Sequence, residues 1–176
     1  VGLGVLVPGL ELSATMDDPH NPLDMLVGFG GLAVGVPAVA LAHRVTYGST
    51  RALHSVQGRF RWGLLGHAAR VVVPVLLALN TGAMLLSEEI ALPPLTPGVV
   101  VAWALLVLLV PLQSAAEEYV FRALPLQVLG SWVRTPWLGI ILPIPLFTLG
   151  HGYDWRGQLS VALFALAMGL LTWKSG

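Results

Sequence analysis

Two glutamates and an arginine lie inside a long apolar stretch of the chain. Glu117, Glu118 and Arg122 occur within residues 98–129, which are otherwise mostly apolar. A charge at the centre of a bilayer costs at least about 2.5–3.5 kcal/mol, so charged residues there usually serve a function. On a helix, Glu118 and Arg122 are four residues apart and can pair on one face. Glu117 lies on a neighbouring stripe with Gln113 and has no obvious charged partner, so it is a candidate proton acceptor.

A histidine provides the second candidate for chemistry. His151 is the only histidine in the apolar stretches of the C-terminal half, and Phe147 precedes it by four residues, on the same helical face. A glutamate and a histidine together can hold and deprotonate a water molecule, and histidine can also stabilise an oxyanion. Two other interpretations stay open. The Glu118–Arg122 pair can serve only to lock helices together, and His151 can be an ordinary packed residue.

The composition requires that membrane helices position these residues. Of the 176 residues, 56% are hydrophobic and only 10% are charged, against roughly 25% charged residues in soluble domains. The mean hydropathy is +0.80. The formal net charge is zero, which gives no electrostatic basis for binding nucleic acid. Cysteine is absent, which excludes disulfides, thiolate metal ligands and a cysteine nucleophile.

Apolar runs predict an all-α, polytopic transmembrane helical bundle with about five to six spans. A hydrocarbon core of roughly 30 Å requires about 20 apolar residues as helix. The run 137–151 is short for a span and contains Pro143 and Pro145, which neighbouring helices can accommodate. Residues 1–10 would end an earlier span. The five expected spans are 25–43, 67–86, 98–116 (helical on to about 129), 137–151 and 158–173.

The charged residues outside the spans predict the orientation of the bundle. Basic residues concentrate in the loops 44–66 and 130–136, whereas 11–24 and 87–97 contain no lysine or arginine. The positive-inside rule therefore places 44–66 and 130–136 in the cytoplasm. Gly31 and Gly35 have a spacing found in helix dimers, but close packing within one bundle is the more common use of such glycines.

The ordered pair of motifs resembles a known protein family. Glu-Glu-x-x-x-Arg at 117–122 is followed, about 25 residues later, by Phe-x-x-x-His at 147–151. This pattern resembles the CPBP family, the CAAX-prenyl-protease and bacteriocin-processing relatives that are also called Abi proteins. The resemblance covers roughly 65–176, a protease-like domain truncated at its C-terminus. Residues 1–64 would then form an N-terminal transmembrane region with a basic cytoplasmic loop.

The resemblance implies an intramembrane endopeptidase and assigns roles to residues. Glu117 would activate water and His151 would assist as the second catalytic residue, with Glu118, Arg122 and Phe147 in supporting positions. It implies either no cofactor or a divalent metal such as zinc, bound through Glu117 and His151. It also implies membrane lipid and a peptide or protein substrate as partners, in an integral membrane protein, most naturally of the bacterial plasma membrane. The alternative function is a non-catalytic bacteriocin-immunity or scaffold protein, which the family also contains.

Three expectations qualify this prediction. The family has a later His-x-x-x-Asn or His-x-x-x-Asp motif, and nothing after His151 matches it. Because apolar runs adjoin both ends, we expect a fragment of a longer protein. Because this later motif is missing, we expect the fragment to be inactive by itself and the parent protein to be active. If each span crosses the whole membrane, Glu117 and His151 differ in depth by about 10 Å, unless a tilt or a kink at Pro111 compensates.

Overall fold

The computed structural model describes residues 11–87 and 94–176. Within these ranges the chain forms nine α-helices and one π-helical turn, with no β-strand. The helices are α1 (Pro22–Ala33), α2 (Gly35–Tyr47), α3 (Arg51–His54), α4 (Trp62–Leu86), α5 (Pro97–Glu118), the π-helical turn Tyr119–Ala123, α6 (Leu124–Trp132), α7 (Trp137–Ile141), α8 (Pro143–Leu149) and α9 (Trp155–Ser175).

Four helical stretches are long and apolar enough to cross a membrane, which confirms the all-α membrane bundle. They are Pro22–Tyr47, Trp62–Leu86, Pro97–Trp132 and Trp155–Ser175. The expected fifth span, 137–151, is instead the shorter helix Trp137–Leu149. It has fewer than the roughly 20 residues that a full crossing requires. The expected earlier span at 1–10 lies outside the described residues.

Prolines explain where two apolar helices are interrupted. Val34 separates α1 from α2, three residues before Pro37. Leu142 separates α7 from α8, directly before Pro143. Proline has no N–H to donate to the carbonyl four residues earlier, and its ring crowds that carbonyl. Each interruption therefore falls in the turn in which a proline removes a helical hydrogen bond.

Polar side chains fix the first residues of three helices. The side chain of Asn21 accepts a hydrogen bond from the Leu23 amide at α1, and that of Thr96 accepts one from the Val99 amide at α5. Asp154 does the same for the Gly157 amide at α9. Such N-caps satisfy amides that have no partner within the helix. Each of these caps lies at the boundary between a polar loop and the apolar helix that follows it.

The first helical stretch packs alongside α5. A Cβ atom added at Gly30 would lie 3.9 Å from Leu109 Cδ1, and one at Gly35 would lie 3.0 Å from Ala116 Cβ. Because the two pairs advance in the same direction along both helices, α1–α2 runs parallel to α5. Gly35 therefore serves packing within the bundle, as expected for the more common use of such glycines. Gly31 has open space around it.

The C-terminal helices form an antiparallel hairpin followed by a returning helix. Gly139 on α7 lies against Leu126 on α6, where an added Cβ would be 2.9 Å from the Leu126 Cα. Eight residues later, the Phe147 ring is 5.1 Å from that of Phe121, which precedes Leu126 by five residues. Helix α9 then packs on the hairpin, with Gly169 against Ile140. This hairpin positions the two sequence motifs.

Candidate functional site

The first motif ends in a π-helical turn. The Leu124 amide donates to the carbonyl of Tyr119, five residues back instead of four. Pro125 follows and has no amide proton for the carbonyl of Phe121, so the wider turn forms where α-helical bonding is already broken. Such single π turns often occur at functional sites. The apolar pattern predicts a continuous α-helix through this stretch, whereas the structure has a π-helical turn at Tyr119–Ala123.

The expected Glu118–Arg122 pair is present. Arg122 Nη1 lies 3.3 Å from Glu118 Oε1, and the Arg122 side chain is only 3% exposed. The guanidinium carbon lies 4.2 Å from the centre of the Phe147 ring, a cation–π geometry. Neither Nη1 nor Nη2 has a well-aligned hydrogen bond within the described residues. The guanidinium carbon also lies 5.9 Å from the centre of the Phe164 ring. Arg122 is thus held by one carboxylate and two aromatic rings, of which Phe147 is the nearer.

Glu117 has a polar neighbour on its own helix. Gln113 Nε2 donates to Glu117 Oε1 at 2.5 Å, while the Glu117 side chain stays partly exposed. The two residues share the stripe that their spacing predicted. The hydrogen bond restrains one carboxylate oxygen, and the donor is an uncharged amide. Glu117 therefore differs from Glu118 because its bonded neighbour carries no charge.

His151 follows the end of α8 and bonds back to it. Its Nδ1 lies 2.7 Å from the Phe147 carbonyl oxygen, an acceptor that requires the proton on Nδ1. In neutral histidine, Nε2 then carries the lone pair and can accept a proton or a hydrogen bond. The Phe147 ring lies 4.6 Å from the His151 ring. Phe147 therefore packs against both His151 and Arg122.

The hairpin register places Glu117 and His151 at a similar level. Phe121 and Phe147 pack together across an antiparallel pair of helices. One turn before Phe121 is Glu117, and one turn after Phe147 is His151, so both lie about 6 Å from the aromatic pair in the same axial direction. The expected depth mismatch assumed that 137–151 crosses the whole membrane. The Trp137–Leu149 helix is too short for such a crossing.

The described structure does not join these two residues directly. No hydrogen bond or ion pair links His151 with Glu117 or Glu118 in residues 11–87 and 94–176. Their polar atoms bond within their own helices instead. A water molecule or a substrate group would have to lie between them for the two to act together.

The residues present do not by themselves fit a zinc site. Protein zinc sites usually have at least three side-chain ligands. Across the described part of the chain, no three histidine, aspartate or glutamate side chains group closely enough to hold a metal ion. Glu117 and His151 are the two donors that the sequence suggested.

Comparison with protein families identifies the region that carries this hairpin. Residues 96–176 match the family model described as type II CAAX prenyl endopeptidase Rce1-like. This region is similar to that family. The match supports the CPBP membership that the two motifs predicted. No curated protein and no solved structure matches the chain.

The Rce1-like region contains both motifs, but a residue that contacts the first motif, His54, comes earlier in the chain. The match begins at residue 96, and the predicted domain boundary at 64/65 stays a prediction. Tyr119, inside the first motif, has its hydroxyl 3.0 Å from Nδ1 of His54. His54 lies within 44–66, which the sequence predicts to be a cytoplasmic loop. A contact across 65 positions leaves no periodic signal in a single sequence.

A second residue near the site, Thr148, is not predicted by the spacing of the motifs. The hydroxyl of Thr148 is buried and has no hydrogen-bond partner within the described residues. Buried hydroxyls normally have a partner, because an unbonded one costs free energy. Thr148 lies between Phe147 and the turn that carries His151. It is a candidate polar contact for a bound water molecule or substrate.

Proposed function

We propose that the protein is an intramembrane endopeptidase of the CAAX-protease kind, with Glu117 as the base and His151 as its partner. One observation carries the proposal: the antiparallel register puts these two side chains one turn beyond the same aromatic pair. Family membership of residues 96–176 supports the endopeptidase class. The apolar helices support a site at the membrane.

The proposed reaction uses water as the nucleophile. Glu117 accepts a proton from water while the water oxygen attacks the peptide carbonyl carbon. The resulting oxyanion is stabilised by His151, which in its protonated form can donate from Nε2. Collapse of the intermediate breaks the C–N bond, and the leaving amine takes the proton that Glu117 received. Gln113 holds the carboxylate, and Arg122 with Phe147 holds the His151 side of the site.

The proposal extends to partners and location. The substrate is a peptide or protein segment at the membrane surface or within it, and lipid surrounds the apolar helices. The location is an integral membrane position, proposed to be in the bacterial plasma membrane, with no role for nucleic acid. A divalent metal such as zinc is not part of the proposed step. A chelator such as EDTA is therefore expected to leave cleavage unchanged.

A cleavage assay tests the two catalytic assignments. The protein is reconstituted in lipid and given a candidate membrane-anchored peptide substrate, with Glu117→Gln and His151→Ala as variants. General acid–base groups contribute about 10²–10⁴-fold, so we expect each variant to lose at least about a hundredfold in kcat. Matched controls are Glu11→Gln and His67→Ala, at exposed positions outside the motifs. Undiminished cleavage in either catalytic variant would show that the assignment is wrong.

The second candidate function is a non-catalytic scaffold or immunity protein. The packing of Arg122 against Glu118 and Phe147 favours it, since that cluster joins three helical elements without any chemistry. The two candidates differ in one outcome. A scaffold requires Arg122 and Phe147 but tolerates Glu117→Gln and His151→Ala in a protection or partner-binding assay. Loss of that function in the two catalytic variants contradicts the scaffold interpretation.

A further inference from the structure

A buried histidine outside the proposed active site joins the N-terminal helices to α6. The His43 side chain is in the last turns of α2 and is 4% exposed. Its Nδ1 lies 2.5 Å from the Ser49 carbonyl oxygen, and its Nε2 lies 3.1 Å from Gln127 Oε1. Gln127 Nε2 in turn donates to the Ala52 carbonyl at 3.0 Å. We refer to these four groups as the His43 clasp.

Both contacts of His43 require a proton on the ring nitrogen. The Ser49 carbonyl can only accept, so Nδ1 must donate to it. The Gln127 amide nitrogen is used by Ala52, so the oxygen of Gln127 faces Nε2, which must donate as well. Rotating the Gln127 amide by 180° would place its oxygen against the Ala52 carbonyl oxygen. Two acceptors would then face each other there, with no proton between them. A neutral imidazole has a single N–H, so only the imidazolium form of His43 satisfies the whole clasp.

The groups around His43 do not provide a counter-charge. The titratable and charged side chains on the elements packed around it are Arg44 and Tyr47 on α2, Arg51 and His54 on α3, Tyr119 and Arg122 in the π turn, Glu117 and Glu118 on α5, and Asp24 on α1, which accepts hydrogen bonds from Ser13. Glu117 bonds to Gln113, and Glu118 pairs with Arg122. Within the described residues, no carboxylate oxygen lies within 4 Å of a His43 nitrogen.

The charge on His43 therefore depends on two neutral acceptors. Taking a charge out of water is unfavourable unless hydrogen bonds or an ion pair offset the cost. Here the offset comes only from the Ser49 carbonyl and the Gln127 amide. Histidine changes charge between about pH 5 and 8 more readily than any other side chain. Loss of one ring proton therefore removes one of the two donors.

We propose that His43, as the imidazolium ion, is a positioning residue that holds the segment 49–54 on the Rce1-like region. Loss of one proton leaves either the Gln127 bond or the Ala52 bond unmade. The segment then loosens. Because His54 in the same segment bonds to the Tyr119 hydroxyl, the clasp sets the surroundings of the π turn. This inference does not depend on the proposed peptidase activity, and its tests measure structure.

The first experiment observes the protonation state directly. The protein is labelled with ¹⁵N-histidine, placed in phosphatidylcholine nanodiscs, and followed by NMR from pH 5.5 to 8.5. The His43 signals are assigned by their loss in His43→Gln. We expect both ring nitrogens to be protonated at the acidic end, and one to be deprotonated at the basic end. A His43 ring that is neutral across the range while the clasp stays closed would overturn the proposal.

The second experiment measures the opening of the segment. Hydrogen–deuterium exchange of peptides covering 49–54 is compared at pH 6 and pH 8, after correction for the intrinsic exchange rate. Loss of one ordinary hydrogen bond predicts a fall in protection of about fivefold at pH 8. His43→Gln and Gln127→Leu are expected to give low protection at both pH values, and either variant suffices if the other does not fold.

A matched histidine provides the control. His67 on α4 also bonds a carbonyl through Nδ1, that of Gly63 at 2.7 Å, but has no contact in the clasp. His67→Gln is therefore expected to keep the pH dependence of the 49–54 peptides. Equal protection at pH 6 and pH 8 in the unmodified protein, or an unchanged pH dependence in His43→Gln, contradicts the proposal.

Discussion

Arg122 shows how a single charge can be kept inside an apolar helical hairpin. Its side chain is 3% exposed, whereas that of its partner Glu118 is 37% exposed. The buried end of the pair therefore depends on the Phe147 ring as well as on the carboxylate. A planar guanidinium can stack on an aromatic face while its edge meets a carboxylate, which an ammonium group cannot do as well. We infer that arginine is required at this position for its shape.

This inference predicts unequal effects for two substitutions of Arg122. Removing one partner of a fully buried ion pair costs about 3–5 kcal/mol. Because Glu118 is partly exposed, we expect a smaller cost for Arg122→Leu, which should lower the free energy of unfolding by about 2 kcal/mol. Arg122→Lys is expected to cost about 1 kcal/mol through the lost stacking. Denaturant-induced unfolding in mixed micelles measures both changes.

The control and the contradicting result follow from the same contacts. Arg59→Gln changes an exposed arginine with no side-chain ion pair in the described residues, so it is expected to leave stability within about 0.5 kcal/mol. If Arg122→Lys is as destabilising as Arg122→Leu, the positive charge alone contributes nothing, which contradicts the expected unequal effects. If neither variant is destabilised, the cluster does not hold the hairpin.

At the scale of the helices, the contact between α6 and α7 sets the level of the two motifs. Gly139 packs so closely on Leu126 that an added Cβ atom would lie 2.9 Å from the Leu126 Cα. The neighbouring atom is backbone, so it cannot move aside as a flexible side chain would. This close approach fixes how α6 and α7 are aligned along their axes. The alignment in turn places Glu117 and His151 at a similar level.

We therefore predict that Gly139→Val separates α6 from α7. Overpacking of this kind typically costs about 1–3 kcal/mol, and it should shift the Phe121–Phe147 contact as well. Gly66→Val is the matched control, because Gly66 lies in α4 with no atom within 4 Å of its added Cβ. Thermal unfolding in detergent measures the difference. Equal melting temperatures for the two variants would show that the Gly139 contact does not limit the packing.

The sequence predicts the helices better than it predicts their interruptions. Apolar runs identified four membrane-crossing stretches because hydropathy over about 20 residues is a strong signal. The same signal made 137–151 a span, although the helix with Pro143 and Pro145 is too short for one. The π turn at Tyr119–Ala123 was not predicted, since it changes one hydrogen bond without changing the apolar pattern.

The candidate site shows a similar division. The Glu118–Arg122 and Gln113–Glu117 contacts follow from a spacing of four residues on one helix, and the structure contains both. The position of Phe147 between Arg122 and His151 depends on how two helices pack, which spacing cannot specify. The contact of His54 with Tyr119 depends on tertiary structure in the same way. The catalytic roles themselves stay predictions.

At the scale of the whole molecule, four of the six tryptophans lie at helix ends next to basic residues of the expected cytoplasmic side. Helices α4 and α7 begin with Trp62 and Trp137, α6 ends with Trp132, and Trp173 lies in the last turn of α9. The Trp137 and Trp173 rings are 6.3 Å apart. Tryptophan favours the interface between membrane and water, and basic residues favour the cytoplasmic side. These ends are therefore expected to lie at the cytoplasmic interface, next to the loops 44–66 and 130–136.

The absence of native cysteine makes this orientation directly testable. Single cysteines are introduced as Asp17→Cys and Gln57→Cys, two exposed positions on opposite sides of the expected bundle. The expected sidedness predicts that a membrane-impermeant maleimide labels Asp17→Cys in intact cells. It predicts labelling of Gln57→Cys only after the cells are permeabilised. Ser131→Cys, in the last turn of α6, should behave like Gln57→Cys, because the hairpin between α6 and α7 turns on the same side.

Labelling of both Gln57→Cys and Ser131→Cys in intact cells would show that the orientation of the bundle is the reverse of the expected one. The two motifs would still lie at the same level relative to each other. Labelling of only one of the two would place the two loops on different sides of the membrane. That result would contradict the expected topology, because α1–α2 packs parallel to α5, so two full crossings must end on the same side.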